Sequence, residues 1–306
     1  MKKIGKYLLK ALLALFAALP LKAHYALAGS VAWLAGSVIH YRTDDVMINL
    51  ARCYPRYNNY DLRAVKKRFY RHFANILVES VWFGGCHTPK RLRKEKIVEI
   101  LNPECLQQLY DNAPSVVVMY THCGNWELLG GINHYNFTDR PSPITNENCC
   151  FVYRELSSKV WDEIMNENRC APIPDGTELD GYIESRMLVR YVYSHKDEKK
   201  IYNVNTDQRP YFPGRDYIKL QFMGQECQTM SAAAALAHKF GFAVAYQRMM
   251  EKPDGKGYYI EYVPVCVDGR EMSVEDMMKR YYELLEGDLR EQPHNYLWTH
   301  RRWVII

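Results

Sequence analysis

The sequence predicts an α/β protein with a mostly parallel central sheet flanked by helices, preceded by a helical membrane-anchoring segment. Three observations carry this. "VVVMY", Val116–Tyr120, is a short unbroken apolar run, as a strand buried on both faces requires. Beyond it, strand-like and helix-like stretches alternate, the pattern of crossover connections. The chain also opens on mixed basic and apolar residues: Lys2, Lys3, Lys6, Lys10, Lys22 and Arg42 all precede the first acid, Asp44. No repeat, low-complexity tract or linker divides the rest, so the expected organisation is an anchor over residues 1–42 and one domain over 43–306.

Ala11–Ala18 is apolar, but Pro20 and Lys22 interrupt it, and a membrane-crossing helix needs about 20 apolar residues. Two short helices hinged at Pro20, or one lying in the interface, fit equally well. Ala26-Leu27-Ala28 offers a signal-peptidase-like site, yet apolar character resumes at once over Tyr25–Ile39. A retained anchor is expected, with the globular part on the cytoplasmic side. From Asn59 to Trp82, Val65, Phe69, Phe73, Ile76, Leu77 and Val81 recur at helical steps, while Lys66, Lys67, Arg68 and Arg71 form a basic side. A strand over Val116–Tyr120 leads to a helix from Glu127 and a second from Leu156 to Asn168, after which Cys170–Pro174 reads as extended. Lys200–Asn205 is a strand. "TMSAAAALAHKFG" is a helix that starts near Thr229 or Ser231 and stops at Gly241. Strands over Phe242–Met249 and Tyr258–Val267 precede a helix from Val274 to about Leu289.

Composition narrows the function. With 48% hydrophobic and 25% charged residues a core can form, which argues against disorder. A net charge of +5 gives no support to a nucleic-acid role. Nine scattered cysteines, with only Cys149 and Cys150 adjacent, read neither as a disulfide framework nor as a zinc site, and suit a reducing compartment.

His122 closes the first strong strand, and ligands in such sheets sit at carboxyl ends of strands. Glu127 lies five residues on; on a continuous helix the two would point about 140° apart. A turn at Gly124–Asn125 lets the carboxylate fold back onto the imidazole, fix its tautomer and leave the other nitrogen as a general base. That is half of a triad, whose nucleophile is then a substrate hydroxyl. Two readings compete: a purely structural pair, and a Cys123 nucleophile served by His122. Adjacent strand residues point to opposite faces, which disfavours the second. The spacing of His122, Cys123 and His134 matches no common zinc pattern, so no metal is expected.

"THCGNWELLGG" resembles the His-x4-Glu/Asp signature of glycerolipid acyltransferases. Other segments narrow the resemblance to the lipid A biosynthesis acyltransferase family, the late lauroyl/myristoyl transferases. "LPLKAHYALAGSVAWLAGSVIHYR" looks like its entry helix, and "NLARCYP" looks like its Asn-Leu-x-x-Cys-Phe/Tyr-Pro box, with "FYRHFANILVES" downstream as in the family. "VYRE" puts Arg154 at the Tyr-Arg position and "NTDQ" puts Asp207 and Gln208 at the Asp-Gln motif. "FMGQECQTMSAAAALAHKFGFAV" and "NYLWTHRRW" resemble the closing stretches.

The resemblance implies the α/β acyltransferase fold and a membrane enzyme on the cytoplasmic side of the inner membrane. It would move a fatty acyl chain from acyl carrier protein, or from coenzyme A, to a hydroxyl of a lipid A precursor or related glycolipid. It implies no cofactor, no metal and no nucleic-acid partner. His122 is then the base and Glu127 its orienting acid. Asn125, the backbone amides of the Gly124 turn and Arg154 are candidate oxyanion donors. Arg154, Asp207, Gln208 and Arg301 are candidate substrate contacts, with Arg302 beside Arg301 facing headgroups or carrier acids, and Trp126 is assigned to packing. Met223 departs from the usual Phe-Phe pair, and the insert "PYFPGRDYIKLQ" comes after Gln208. The same residues would serve an acyltransferase acting on an ornithine lipid or a pigment, and a non-catalytic lipid binder remains the reading of a different class.

Overall fold

In the computed structural model, which describes residues 2–173, 181–210 and 217–303, nine strands are placed: β1 (Val98–Ile100), β2 (Val116–Tyr120), β3 (Cys149–Tyr153), β4 (Tyr182–Glu184), β5 (Ile201–Asn205), β6 (Lys219–Phe222), β7 (Gln225–Gln228), β8 (Ala243–Glu251) and β9 (Tyr258–Cys266). Seven form one sheet in the order β1-β9-β8-β2-β5-β3-β4, and β6 and β7 make a separate hairpin. All neighbours in the large sheet are parallel except β8 and β9. The expected mostly parallel sheet is therefore present.

Ten α-helices surround it: α1 (Lys2–Ala17), α2 (Leu21–Trp33), α3 (Thr43–Cys53), α4 (Asn59–Phe83), α5 (Pro89–Glu95), α6 (Pro103–Asn112), α7 (Lys159–Arg169), α8 (Leu188–Ser194), α9 (Ala232–Phe240) and α10 (Val274–Glu291). The sheet sides have separate cores. Val117 and Met119 face one, with residues of α3, α9 and α10; Val116, Val118 and Tyr120 face the other, with Trp82, Leu106 and Leu128. This two-sided burial is why β2 tolerates no polar residue.

Local signals explain the long elements. Asn58 and Asp61 form a reciprocal cap at the start of α4, and Gly241 ends α9 at φ +70°. Pro20 breaks the amino-terminal helix, and the segments on either side are bent by 116°. Among the described residues no single helix is long and apolar enough to cross a membrane. The helix expected from Glu127 is instead a 3-10 helix, Trp126–His134. The stretch expected to extend after α7 turns at Cys170–Ile173, and Pro174 lies outside the described residues, as do residues 211–216 of the insert.

α2 rests on α4 through small residues. Ala28 and Ala74 are fully buried against each other's helix, beside Val78. Enlarging Ala28 therefore tests whether α2 is part of the folded body. Ala28→Leu should lower stability by about 1–3 kcal/mol in urea unfolding, whereas Leu27→Ala, on the exposed side, should shift it by less than about 0.5 kcal/mol.

Candidate active site

β2 and β5 are parallel neighbours with Tyr120 opposite Asn205. Each chain then runs two residues past the strand end, to His122 on one side and Asp207 on the other. Equal overhang from paired strands brings the two side chains together, and His122 Nδ1 donates to Asp207 Oδ1 at 2.8 Å. The contact fixes the Nδ1–H tautomer and leaves a lone pair on Nε2. That nitrogen receives side-chain amides from Gln208 (3.0 Å) and Asn205 (3.3 Å). Trp126 stands edge-on to the imidazole with ring centres 4.6 Å apart.

Asp207 is 1% exposed. Burial, the largest influence, pushes its carboxyl up, but the charge and hydrogen bond of His122, with a bond from Tyr296, pull it below the usual carboxylate range. The loop is pinned from the chain's far end: Arg302 Nε donates to the Asp207 carbonyl (2.8 Å), and Arg302 Nη2 to the Gln228 carbonyl (2.8 Å) and Tyr282 Oη (2.9 Å). His300 is held down to about 4, first by burial and then against the pull of Asp207 by the charges of His122, Arg302 and Arg209.

The imidazole opens into a groove of 370 Å³ between the ends of β2, β3 and β5 and helix α7. Leu129, Phe151, Leu156, Leu188 and Met230 give it an apolar wall, while Arg154, Glu127, Arg169 and Gln208 supply polar groups.

Several expectations need correction. Glu127 does not meet His122. Its carboxylate takes two bonds from Arg169 (2.7 and 2.9 Å) and one from the Trp126 indole (3.1 Å). The 3-10 helix after the Gly124 turn aims it at α7, so it lines the groove, and the acid that meets the imidazole is Asp207. Burial works against the Arg169 charge, but Glu127 outweighs it and holds that guanidinium above its ordinary value. Asn125 is fully buried; its amide donates to Glu79 (3.0 Å) and to the Ile76 carbonyl (3.2 Å), and its oxygen accepts from Glu127 N (3.2 Å). It faces the interior and cannot reach a substrate. The turn's amides are also engaged: Gly124 N donates to Asn295 Oδ1 (2.6 Å) and Cys123 N to Thr121 Oγ1 (3.1 Å). Gly124 itself has φ +65°, and a Cβ there would lie 2.6 Å from Met249 Cγ. Arg301 is outside the groove lining and pairs with Asp45 (3.0 Å), because it points outward from the closing turn. Arg302 faces inward, holding the Asp207 loop.

Arg154 is exposed at the groove's rim and Gln208 touches the His122 ring, so both stay at the groove. Cys123 is buried in the core, and burial pushes its thiol well up, which removes it as a nucleophile. Among the described residues no cluster of three His, Cys, Asp or Glu side chains is placed to hold a metal. Sequence reasoning missed Asn205, Arg169 and the Trp126 contact. Asn205 was findable, as the polar end of a buried strand two residues before Asp207. Arg169 carries no local signal.

Beneath the catalytic turn, Glu79 of α4 is fully buried and accepts from Tyr25 Oη (2.7 Å), Tyr258 Oη (2.9 Å) and Asn125 Nδ2 (3.0 Å). All three donors are neutral. Burial therefore dominates and the carboxyl is pushed up to about 7.

Residues 1–136 and 207–304 match the family described as bacterial lipid A biosynthesis acyltransferase. The match contains His122, Glu127 and Asp207 and leaves out the stretch with Arg154 and Arg169. No curated protein matches.

A carboxyl whose folded pKa lies above its unfolded value keeps its proton longer in the native state. Stability then falls as pH rises from near 4.5 to about 7. Urea unfolding across that window should show the wild type losing on the order of 3 kcal/mol relative to Glu79→Gln. Parallel profiles for the two proteins would mean that Glu79 is ionised throughout.

Proposed function

The chain belongs to the bacterial lipid A biosynthesis acyltransferase family, and from that premise we propose that it moves a fatty acyl chain from an acyl carrier protein or coenzyme A thioester to a hydroxyl of a lipid A precursor. The family makes it an acyltransferase acting on lipid. The observation that carries the finer reading is the His122–Asp207 pair at the polar end of an apolar groove.

A secondary alcohol is too weak an acid to attack a thioester unaided. His122 Nε2 takes its proton as the oxygen bonds to the carbonyl carbon, and Asp207 steadies the imidazolium through Nδ1–H. The carbonyl oxygen becomes an oxyanion. As the C–O double bond re-forms, the C–S bond breaks, and the thiolate takes the proton back from Nε2. The amides of Asn205 and Gln208, which cap Nε2, yield that place to the incoming hydroxyl and serve the oxyanion, where such a donor is worth about 3 kcal/mol. The groove's apolar wall receives the acyl chain. Arg154 at the mouth suits a phosphate on the glycolipid or on the carrier's prosthetic arm.

The amino-terminal helices complete the reading. Leu8, Leu12, Leu15 and Trp33 are exposed on the bent pair, an arrangement for lying at the cytoplasmic face of the inner membrane. Residues 1–42 are the anchor in this reading and 43–306 the catalytic domain.

Transfer from radiolabelled acyl carrier protein tests the chemistry. His122→Ala and Asp207→Asn should each lower kcat roughly 10²–10⁴-fold, and the double variant should be no worse than the poorer single one, since the two act as a unit. Multiplying losses would separate Asp207 from the base. Cys123→Ser should remain active. Expression in a host deficient in late acylation, read by mass spectrometry, should add one secondary chain to lipid A; an unchanged lipid A beside another newly acylated lipid would move the acceptor.

A further inference from the structure

The segment 49–55 lines no part of the acyl groove, yet the fold sets it against the closing turn, residues 298–303. Asn49 of α3 is 4% exposed. Its Nδ2 donates to the Trp298 carbonyl (2.8 Å) and to the His300 carbonyl (3.0 Å), so both amide hydrogens go to one turn. The His300 carbonyl also accepts from Arg302 N (2.9 Å). Asn49 thus holds the oxygen against which the Arg302 backbone is set. Arg302 Nε donates to the Asp207 carbonyl (2.8 Å), and Asp207 Oδ1 accepts from His122 Nδ1 (2.8 Å). From Asn49 to the imidazole, each residue is therefore hydrogen-bonded to the next.

α3 meets the same turn at two further points. Arg42, at its N-cap, donates from Nη1 to the Thr299 carbonyl (2.9 Å), and Arg52 Nη1 donates to the Trp303 carbonyl (2.8 Å). Both side chains are long and can follow a moving turn. Asn49 cannot, because a short buried amide that serves two carbonyls fits one placement of them. Tyr54, in the same segment, is anchored elsewhere. Its hydroxyl donates to the Leu289 carbonyl of α10 (2.7 Å), and its ring stands edge-on to Trp298 with centres 5.9 Å apart. One segment therefore carries two buried hydrogen-bonding side chains, and only Asn49 bonds to the turn that bears Arg302.

We propose that Asn49 is a positioning residue for the His122–Asp207 pair. It sets the closing turn so that Arg302 holds the Asp207 backbone where the carboxylate meets Nδ1. It acts through Arg302 and lies outside the groove lining. A misplacement of about 1 Å at a reacting group can cost on the order of 10²-fold in rate. The kinetic consequence rests on the part proposed above for the pair in acyl transfer, whereas the geometric one does not.

Nuclear magnetic resonance of the full-length protein with nitrogen-labelled histidine reads the geometry, through the His122 Nδ1 proton, assigned by its loss in His122→Ala. Asn49→Ala should weaken that signal and lower kcat about 10–100-fold, with KM within about threefold of wild type. Asn49→Ser keeps one donor and should fall between the two; it decides the question if the alanine variant does not fold. Tyr54→Phe removes the Leu289 bond but keeps the ring on Trp298. It should lower the melting temperature and leave both the signal and kcat unchanged. Loss of the signal with transfer intact would uphold the positioning and take the pair out of the chemistry. An unchanged His122 signal in the folded Asn49 variant overturns the proposal, and so does a loss in Tyr54→Phe equal to that in Asn49→Ala.

Discussion

Two parallel strands that end level with each other determine where His122 and Asp207 can meet. β2 and β5 pair in register from Val116–Ile201 to Tyr120–Asn205, so the residues two positions beyond each strand meet. A slip of one residue would turn every side chain of β2 to the other sheet face and part the pair. Hence the burial of β2 does more than fill space: the cores on both sides hold the register that puts His122 against Asp207. Asp207 also requires support, since a buried carboxylate is tolerable only with charge and hydrogen bonds around it. His122 and Tyr296 supply those, and Arg302 fixes the backbone. Tyr296 and Arg302 thus support the site although neither lines the groove.

A second buried carboxylate shows what the first would be without a charged partner. Glu79 has three hydrogen-bond donors, but all are neutral. Its carboxyl rises where that of Asp207 falls. The difference assigns different work. Asp207 keeps its charge against the His122 ring. Glu79 is a buried knot joining α2 through Tyr25, β9 through Tyr258 and the catalytic turn through Asn125. The amino-terminal helices and the active site therefore share one set of hydrogen bonds.

The long, strongly patterned elements were legible in the sequence: β2 within its observed bounds, α4 from its apolar stripe, α9 from its terminal glycine, and the placing of His122 at the sheet's rim. Short ones were not. β1 and β4 have three residues each, too few for a period to register, and β3, an apolar run of only five residues buried on alternate positions, carries no turn signal to set it apart. The catalytic pairing failed for a different reason. Local spacing nominates a nearby acid, and Glu127 was the nearest. The true partner is 85 positions away in the chain and is brought close by strand order, which periodicity does not encode. The family resemblance did mark Asp207 and Gln208, though as substrate contacts. Asn125 erred in the same way: a polar residue in a catalytic turn looks available until burial shows it knotted to Glu79.

The two amino-terminal helices are coupled to the body by interactions of different kinds, and the difference bears on the groove. α2 is held by buried small-residue packing and by Tyr25, neither of which salt weakens. α1 packs on α4 at its buried end, Ala17, and meets α7 through exposed ion pairs, Lys6 with Glu163 and Lys10 with Glu163 (2.8 Å) and Glu167 (2.7 Å). Exposed pairs contribute little and are screened by ions. α7 ends at Arg169, which grips Glu127 in the groove wall. α1 is therefore tied to the groove wall by pairs that salt weakens, with Tyr7, Leu8, Leu12 and Leu15 exposed, while α2 and Glu79 are tied to the Gly124 turn by the buried hydrogen bonds of Tyr25 and Asn125.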